Sequence, residues 1–334
     1  MSEIRQDIIT NNNVVIAAKR GKRPHDFKDN KQVTEDNGYC PFCYGSEDDT
    51  PPEIIAVSND PNRKANKPGW RVRVVPNKFA ALDNDIELTE DKRGLYNKKS
   101  GFGVAEVVIE SNEHHSTLGT HSLDHIEDII KVLRSRYQKI ATDERLKYIQ
   151  MFKNCGSDAG ASLEHPHWQV MATPVVPSAI KEELRGTKEF YNTKGSCVYC
   201  QMIDYEIKQE ERIISNQDDF VAFSPYASRF PFESWILPKE HQKDFSQINE
   251  EQIKSLAKIL KMIVRKLEVG FNHPPFNIIL HTAPTVRDKE VIYHWHLEIL
   301  PRLSKTAGFE LGTGSFINPT PPELATEVLK EIEI

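Results

Sequence analysis

The chain contains no apolar run approaching the roughly 18 residues that a membrane-spanning helix requires. Its first residues, MSEIRQDIITNNN, lack the apolar stretch of a secretory leader. An excess of one charge is also missing: 43 Lys and Arg stand against 49 Asp and Glu, for a net charge of -6. Such a balance does not mark a general nucleic-acid or anionic-membrane binder, so neither partner is expected. No low-complexity tract is present, and the cytoplasm is the expected compartment. Cysteine is scarce, with five in 334 residues. Four of them fall in two C-x-x-C pairs, Cys40/Cys43 and Cys197/Cys200, while Cys155 stands alone. In a reducing compartment a C-x-x-C is more often a metal clip or redox pair than a structural disulfide.

What the chain does contain is a repeat. Cys40-Pro41-Phe42-Cys43 opens one half and Cys197-Val198-Tyr199-Cys200 the other. Strand-like runs follow at Trp70–Pro76 and Phe220–Ser224. Next come Glu106-to-His114 and Glu233-to-His241, each from Glu to His over the same step. Apolar residues then recur at helical spacing over 122–142 (Ile126, Ile129, Ile130, Leu133, Tyr137, Ile140) and 247–269 (Ile253, Leu256, Leu260, Ile263, Leu267). A strand, Tyr148–Phe152 or Phe276–Leu280, leads in each half to a His-x-His, at His165/His167 and His294/His296. The pattern predicts an α+β fold made of two tandem copies of one unit, each an antiparallel sheet with a packed amphipathic helix. The expected units are 1–180 and 190–334, joined near Pro174–Thr193 with its charged stretch Lys181–Lys188. Residues 30–38 read as a polar loop.

Zinc takes about four Cys and His ligands in a tetrahedron. The repeat proposes two equivalent sets: Cys40, Cys43, His114 and His165, and Cys197, Cys200, His241 and His294. Register selects His114 over His115, because Glu106-to-His114 matches Glu233-to-His241. Both sets have their four ligands from protein, so both are expected to be structural zinc sites.

Strand alternation puts His165, His167 and Gln169 on one face and Pro166 and Trp168 on the other. His167 is the expected nucleophile, since a neutral imidazole attacks phosphorus near neutral pH. The bland alternative is a satisfied core histidine, or a ligand in place of His165. Gly156 and Ala159-Gly160-Ala161-Ser162 supply small residues that let a phosphate approach the backbone. A carboxamide at Gln169 cannot act as a general acid but can donate to a phosphate oxygen, which favours group transfer over hydrolysis. His296 and Glu298, the counterparts in the second half, lack the glycine loop and are expected to be structural. The basic cluster Arg20-Gly21-Lys22-Arg23 reads as a solvated turn or, beside a phosphate-transfer site, as a diphosphate contact. Gly308–Gly314 is read as a tight loop against a ligand or partner chain, and Cys155 as buried.

Along nearly its whole length the sequence resembles the galactose-1-phosphate uridylyltransferase family of the histidine-triad superfamily. The matching stretches are Arg20–Phe27, Cys40–Glu47, Thr50–Glu53, Arg71–Phe79, Phe152–Gln169, Phe230–His241 and Gly308–Pro319. The resemblance implies two histidine-triad-like repeats and a nucleotidyl-His167 intermediate with ping-pong transfer between a nucleotide sugar and a sugar 1-phosphate. It implies that Gln169 holds the transferred phosphoryl group and that Asn154, Gly160 and Ser162 line the phosphate site. Asn77 would line the nucleoside pocket, and Arg20, Arg23, Phe309 and Glu310 would contact the sugar nucleotide. A homodimer is implied, because a second subunit completes the site. The chain departs from the family at Trp168, where Gly or Ser is usual. The primary expectation is UMP transfer between UDP-glucose and galactose 1-phosphate. ADP-glucose phosphorylase, which passes adenylyl to inorganic phosphate, is the alternative, and an idle zinc-stabilised nucleotide-binding module a third reading.

Overall fold

A computed structural model describes residues 2–18, 38–285 and 291–334. The strands of the first half are β1 (Glu3–Gln6), β2 (Asn13–Ile16), β3 (Ile55–Val57), β4 (Val72–Pro76), β5 (Glu90–Arg93), β6 (Tyr96–Lys99), β7 (Val104–Ile109), β8 (Tyr148–Cys155) and β9 (His167–Thr173). Helix α1 (Leu123–Ile140) lies between β7 and β8, and α2 (Ser178–Lys194) follows β9. The second half contains α3 (Val198–Gln209), β10 (Ile213–Asn216), β11 (Phe220–Phe223), β12 (Ser234–Pro238), α4 (Glu250–Phe271), β13 (Phe276–His281) and β14 (His296–Pro301). It closes with α5 (Gly308–Thr313), β15 (Phe316–Asn318) and α6 (Pro322–Glu331).

The two halves share one ten-stranded sheet in the order β10-β11-β12-β14-β13-β8-β9-β7-β4-β3. Every neighbouring pair in it is antiparallel. The order reads the same from both ends toward the β13–β8 seam, as a duplicated α+β unit requires. At the seam Phe152 faces Ile279. These two residues pair with Gln169 and Glu298 respectively on the next strands, so they occupy equivalent places in the two units. The pseudo-twofold axis therefore passes between them.

Residue alternation explains the layers. Val74, Val108, Trp168 and Val170 point to the face covered by α1 and α4, in the main core. Val75, Val107 and Ile109 point to the other face, where they pack with Cys40, Phe42 and Trp70. Helix α1 buries the expected Ile126, Ile129, Ile130, Leu133, Tyr137 and Ile140. Helix α4 starts three residues later than its apolar spacing suggests. Asn249 accepts from the Gln252 backbone and the Gln252 side chain accepts from the Asn249 backbone, a capping box that sets the start.

Two regions differ from their sequence reading. The charged join is a 17-residue helix, α2. Its Gly186 lets the N-terminal segment cross closely: a Cβ there would lie 1.6 Å from the Ile9 carbonyl. The N-terminal strands β1 and β2 form a three-stranded sheet with β15. The Gly308–Gly314 stretch is helical, not a loop, because Glu310 accepts from the Ala307 backbone and Gly314 ends the helix with a positive φ of 69°. Trp168 is 2% exposed in the main core, on the face away from His167. Trp168→Ala is expected to cost about 3–5 kcal/mol in denaturant unfolding, with metal content unchanged, because it opens a cavity in that core.

Candidate active site and metal centres

The first metal centre is assembled from three places. Cys40 and Cys43 share a turn in which the Cys43 N–H donates to the Cys40 carbonyl at 3.2 Å. His114 follows β7 and His165 precedes β9. The Cys43 Sγ lies 3.2 Å from His114 Nδ1 and 3.6 Å from His165 Nδ1. All four ligand atoms fall within 4.8 Å of one another. A tetrahedral zinc with ordinary Zn–S and Zn–N bonds places its ligands about 3.3–3.8 Å apart, so the cluster has the size of a metal site. His165 donates its Nε2–H to the Ser111 carbonyl at 2.7 Å, which leaves Nδ1 as the metal-facing lone pair.

The second centre repeats this plan. Cys197 caps α3 and Cys200 lies in its first turn. Cys200 Sγ is 3.4 Å from His241 Nδ1 and 3.6 Å from His294 Nδ1. His294 Nε2–H donates to the Pro238 carbonyl at 2.8 Å. The two centres differ in cover. His241 is exposed, and an open groove of about 680 Å³ lined by Lys188, Tyr191, Asn192 and Ser196 reaches Cys197, Cys200 and His241.

His167 opens β9, two residues past a metal-centre histidine. Its Nδ1 lies 2.8 Å from the His165 carbonyl. A carbonyl only accepts, so Nδ1 carries the proton and Nε2 keeps a free lone pair. The side chain is 6% exposed, with its ring against the edge of Phe42 at 5.4 Å. Burial lowers its pKa to about 4, so the imidazole is neutral at pH 7. A cavity of about 260 Å³ brings His167 together with Gln169, Ser162, Asn77 and Phe42. Asn77 follows β4, and its side-chain oxygen accepts from the Phe79 N–H at 3.0 Å.

The small-residue loop leaves β8 at Gly156, whose φ is 81°, makes one tight turn over Ser157–Ala159, and exits at Gly160 with φ 85°. Both values lie where a side chain is strained, which is why glycine stands at each. Asn154 reaches across it, its Nδ2 3.5 Å from the Gly160 carbonyl. A residue from the other half, Asn277, donates to Asn154 Oδ1 and to the Ala159 carbonyl, at 2.8 Å each. Sequence reading missed it. Its signal was positional: it sits second in β13, the strand that mirrors β8.

Not every expected residue converges here. Phe309 and Glu310 lie on the exposed α5, and the end of that helix, Gly314, lines a cavity of the second half. Arg20 and Arg23, like 30–37 of the polar-loop reading, lie outside the described residues. Cys155 is half-buried against the main core, with its thiol pushed up by desolvation.

In the second half the place of His167 is taken by His296, whose Nδ1–H likewise donates to a carbonyl two residues back, at 3.1 Å. Glu298 replaces Gln169, and His281 replaces Asn154. Burial alone would lower the His281 pKa, but Glu298 and Glu183 outweigh it and raise it to about 10. Arg229 ion-pairs with both Glu233 and Glu298. Glu183, His281 and His296 form a third group of ligand-type atoms within 4.8 Å. Charged side chains thus line the equivalent position, and the cavity beside His296, about 120 Å³, is smaller than the one of about 260 Å³ at His167. Sequence reading missed Glu183, His281 and Arg229, which come from three separated segments.

A duplicated α+β frame with a Cys/His clip in each half is shared with a class of nucleotidyltransferases. Residues 1–177 match the N-terminal domain of galactose-1-phosphate uridyl transferase and residues 183–313 its C-terminal domain. The chain belongs to this family. It is 38% identical to an ADP-glucose phosphorylase of Arabidopsis thaliana, over 99% of this chain and 93% of that protein. It is 30% identical to a galactose-1-phosphate uridylyltransferase of Thermotoga maritima, over 100% of this chain and 99% of that one. A crystal structure of an Arabidopsis thaliana ADP-glucose phosphorylase with bound ADP-glucose superposes with a TM-score of 0.84 at 36% identity, covering 100% of both chains. Among the described residues no helix is long and apolar enough to cross a membrane.

The open groove at the second centre has a measurable consequence. Metal release to a chelator is expected in two phases, with the fast phase from Cys197, Cys200, His241 and His294. Loss of the fast phase in Cys200→Ser, read with a colorimetric metal indicator, checks the assignment; loss of the slow phase alone would contradict it.

Proposed function

We propose that the protein transfers a nucleotidyl group through a covalent intermediate on His167 and that the group is adenylyl. The observation that carries the covalent step is the hydrogen bond from His167 Nδ1–H to the His165 carbonyl, which leaves a neutral Nε2 for the cavity. In the first half-reaction Nε2 attacks the adenylyl phosphorus of ADP-glucose. The N–P bond forms as the bond to the bridging oxygen breaks, and glucose 1-phosphate leaves. In the second, an oxygen of inorganic phosphate attacks the same phosphorus, the N–P bond breaks, and ADP is released. A sugar phosphate departs with little need for a proton, which suits Gln169 donating an amide hydrogen to a non-bridging oxygen. Asn154, Gly160 and Ser162 hold the phosphate, and Asn77 the nucleoside. Arg20 and Arg23 are assigned to the diphosphate by resemblance.

Two sulfurs and two imidazole nitrogens per centre suit zinc, which has no geometric demand beyond the tetrahedron. Bound there it would supply structural support: His165 would be held by its Nδ1, and the carbonyl that orients His167 would be held with it. In a homodimer, Phe309 and Glu310 of the exposed α5 would reach the sugar nucleotide of a second copy.

The order of the two substrate readings reverses here. Motifs alone put uridylyl transfer first; full-length likeness to an ADP-glucose phosphorylase, 38% against 30%, favours adenylyl. Intact-protein mass spectrometry separates them. An AMP adduct from ADP-glucose, cleared by phosphate, is expected. A UMP adduct from UDP-glucose, cleared by galactose 1-phosphate, would restore the uridylyltransferase reading, and no adduct with either would sink the covalent mechanism. His167→Gly should abolish the adduct with metal content unchanged; loss of both would mean that His167 is a ligand.

A further inference from the structure

The loop of the first half is held from below by the second. Pro275 and Asn277 flank the start of β13, and this edge is fixed within its own unit: the Arg302 N–H donates to the Pro275 carbonyl at 2.7 Å, and Phe276 pairs with Pro301. A side chain at Gly156 would come within 3.0 Å of the Pro275 Cβ, so the loop's first residue rests against that proline. Two residues on, the Asn277 amide spends one hydrogen on Asn154 Oδ1 at the end of β8 and one on the Ala159 carbonyl of the loop, at 2.8 Å each.

The direction of these bonds follows from the groups themselves. The Ala159 carbonyl can only accept, so the end of Asn277 that faces it is the NH₂. The same NH₂ meets Asn154, so the end of Asn154 that faces it is the oxygen. Asn154 must then turn its own NH₂ toward the loop, where it meets another acceptor, the Gly160 carbonyl. Two backbone carbonyls anchor the chain of bonds at its ends, and no flipped assignment satisfies both.

A phosphate offers only acceptors. An asparagine with its NH₂ toward it donates, and one with its oxygen toward it repels. The geometry points to Asn277 as a positioning residue for transfer at His167: it sets which face Asn154 shows to the phosphate and holds the loop between Gly156 and Gly160. The half without the reacting histidine thereby supplies part of the working site. This assignment rests on the nucleotidyl-transfer reading.

Asn277→Ala and Asn277→Asp separate positioning from mere support. The alanine frees Asn154 to turn either way. The aspartate cannot donate, so it draws the Asn154 NH₂ to itself and turns the oxygen to the phosphate. In single-turnover adduct formation, normalised to active sites, Asn277→Ala is expected to lose about tenfold, on the scale of one neutral hydrogen bond. Asn277→Asp is expected to lose about a hundredfold or more, the scale of a wrongly directed group at a reacting phosphate. Metal content and the affinity for adenosine, which has no phosphate, should stay at wild-type values. A wild-type rate per active site in Asn277→Asp overturns the assignment, as does an equal loss in both variants explained by lowered thermal stability. If the wild type itself takes no nucleotide from either sugar nucleotide, the transfer reading is what has failed. The side-chain amide NMR signals of Asn154 then decide: a shift in Asn277→Asp supports the positioning role, and unchanged signals overturn it.

Discussion

The hydrogen bond between the His167 imidazole and the His165 carbonyl is the contact on which the proposed transfer depends. A histidine has two nitrogens, and only one can be offered to a substrate while the other holds the ring in place. Here the holding partner is the main chain of the residue that closes the first metal centre. The register of β9 places both imidazoles on the side of the sheet away from α1 and α4, because residues two apart share a face. The Cys/His cluster, the strand and His167 thus form one connected unit. Burial contributes as well: with little water around it, the imidazole stays neutral instead of taking up a proton.

Duplication accounts for the architecture, and divergence for its asymmetry. Both halves retain the clip, the helix and the histidine that donates to a carbonyl two residues back. Around His167 the polar neighbours Gln169, Ser162 and Asn77 are uncharged, and a cavity of about 260 Å³ remains. Around His296 the neighbours are Glu183, Glu298, His281 and Arg229, whose charges satisfy one another. Buried charges of this kind persist only when paired, so the second half gains a fixed polar core and keeps the smaller cavity. The two halves meet at β8 and β13, and at that seam Asn277 and Pro275 reach the loop beside His167.

Much of this was legible in the chain. Helical spacing located α1 and α4 within a few residues, and the capping box at Asn249 explains the shift in α4. The Glu-to-His step chose His114 and His241, and both stand at their clusters. Alternation alone sent Trp168 to the core and left His167 on the other face. The charged join misled because α2 has a mixed surface; Glu183, buried by the second half, looks like any solvated glutamate in sequence. The glycines of α5 likewise hid a short helix closed by Glu310.

Periodicity and spacing are properties of neighbours along the chain, and so the sequence by itself determined the repeat, the strand faces, the clips and the histidine between them. Which substances met across the seam was decided by folding. Asn154 and Asn277 are 123 residues apart, and nothing local links them. Their bond exists because an antiparallel register, set by the packing of two sheets into one, brings an amide donor opposite an amide acceptor. The same is true of the charges that fill the second half: Glu183, Arg229, His281 and Glu298 come from a helix, a turn and two strands, and only the tertiary structure removes the water that would otherwise keep them apart.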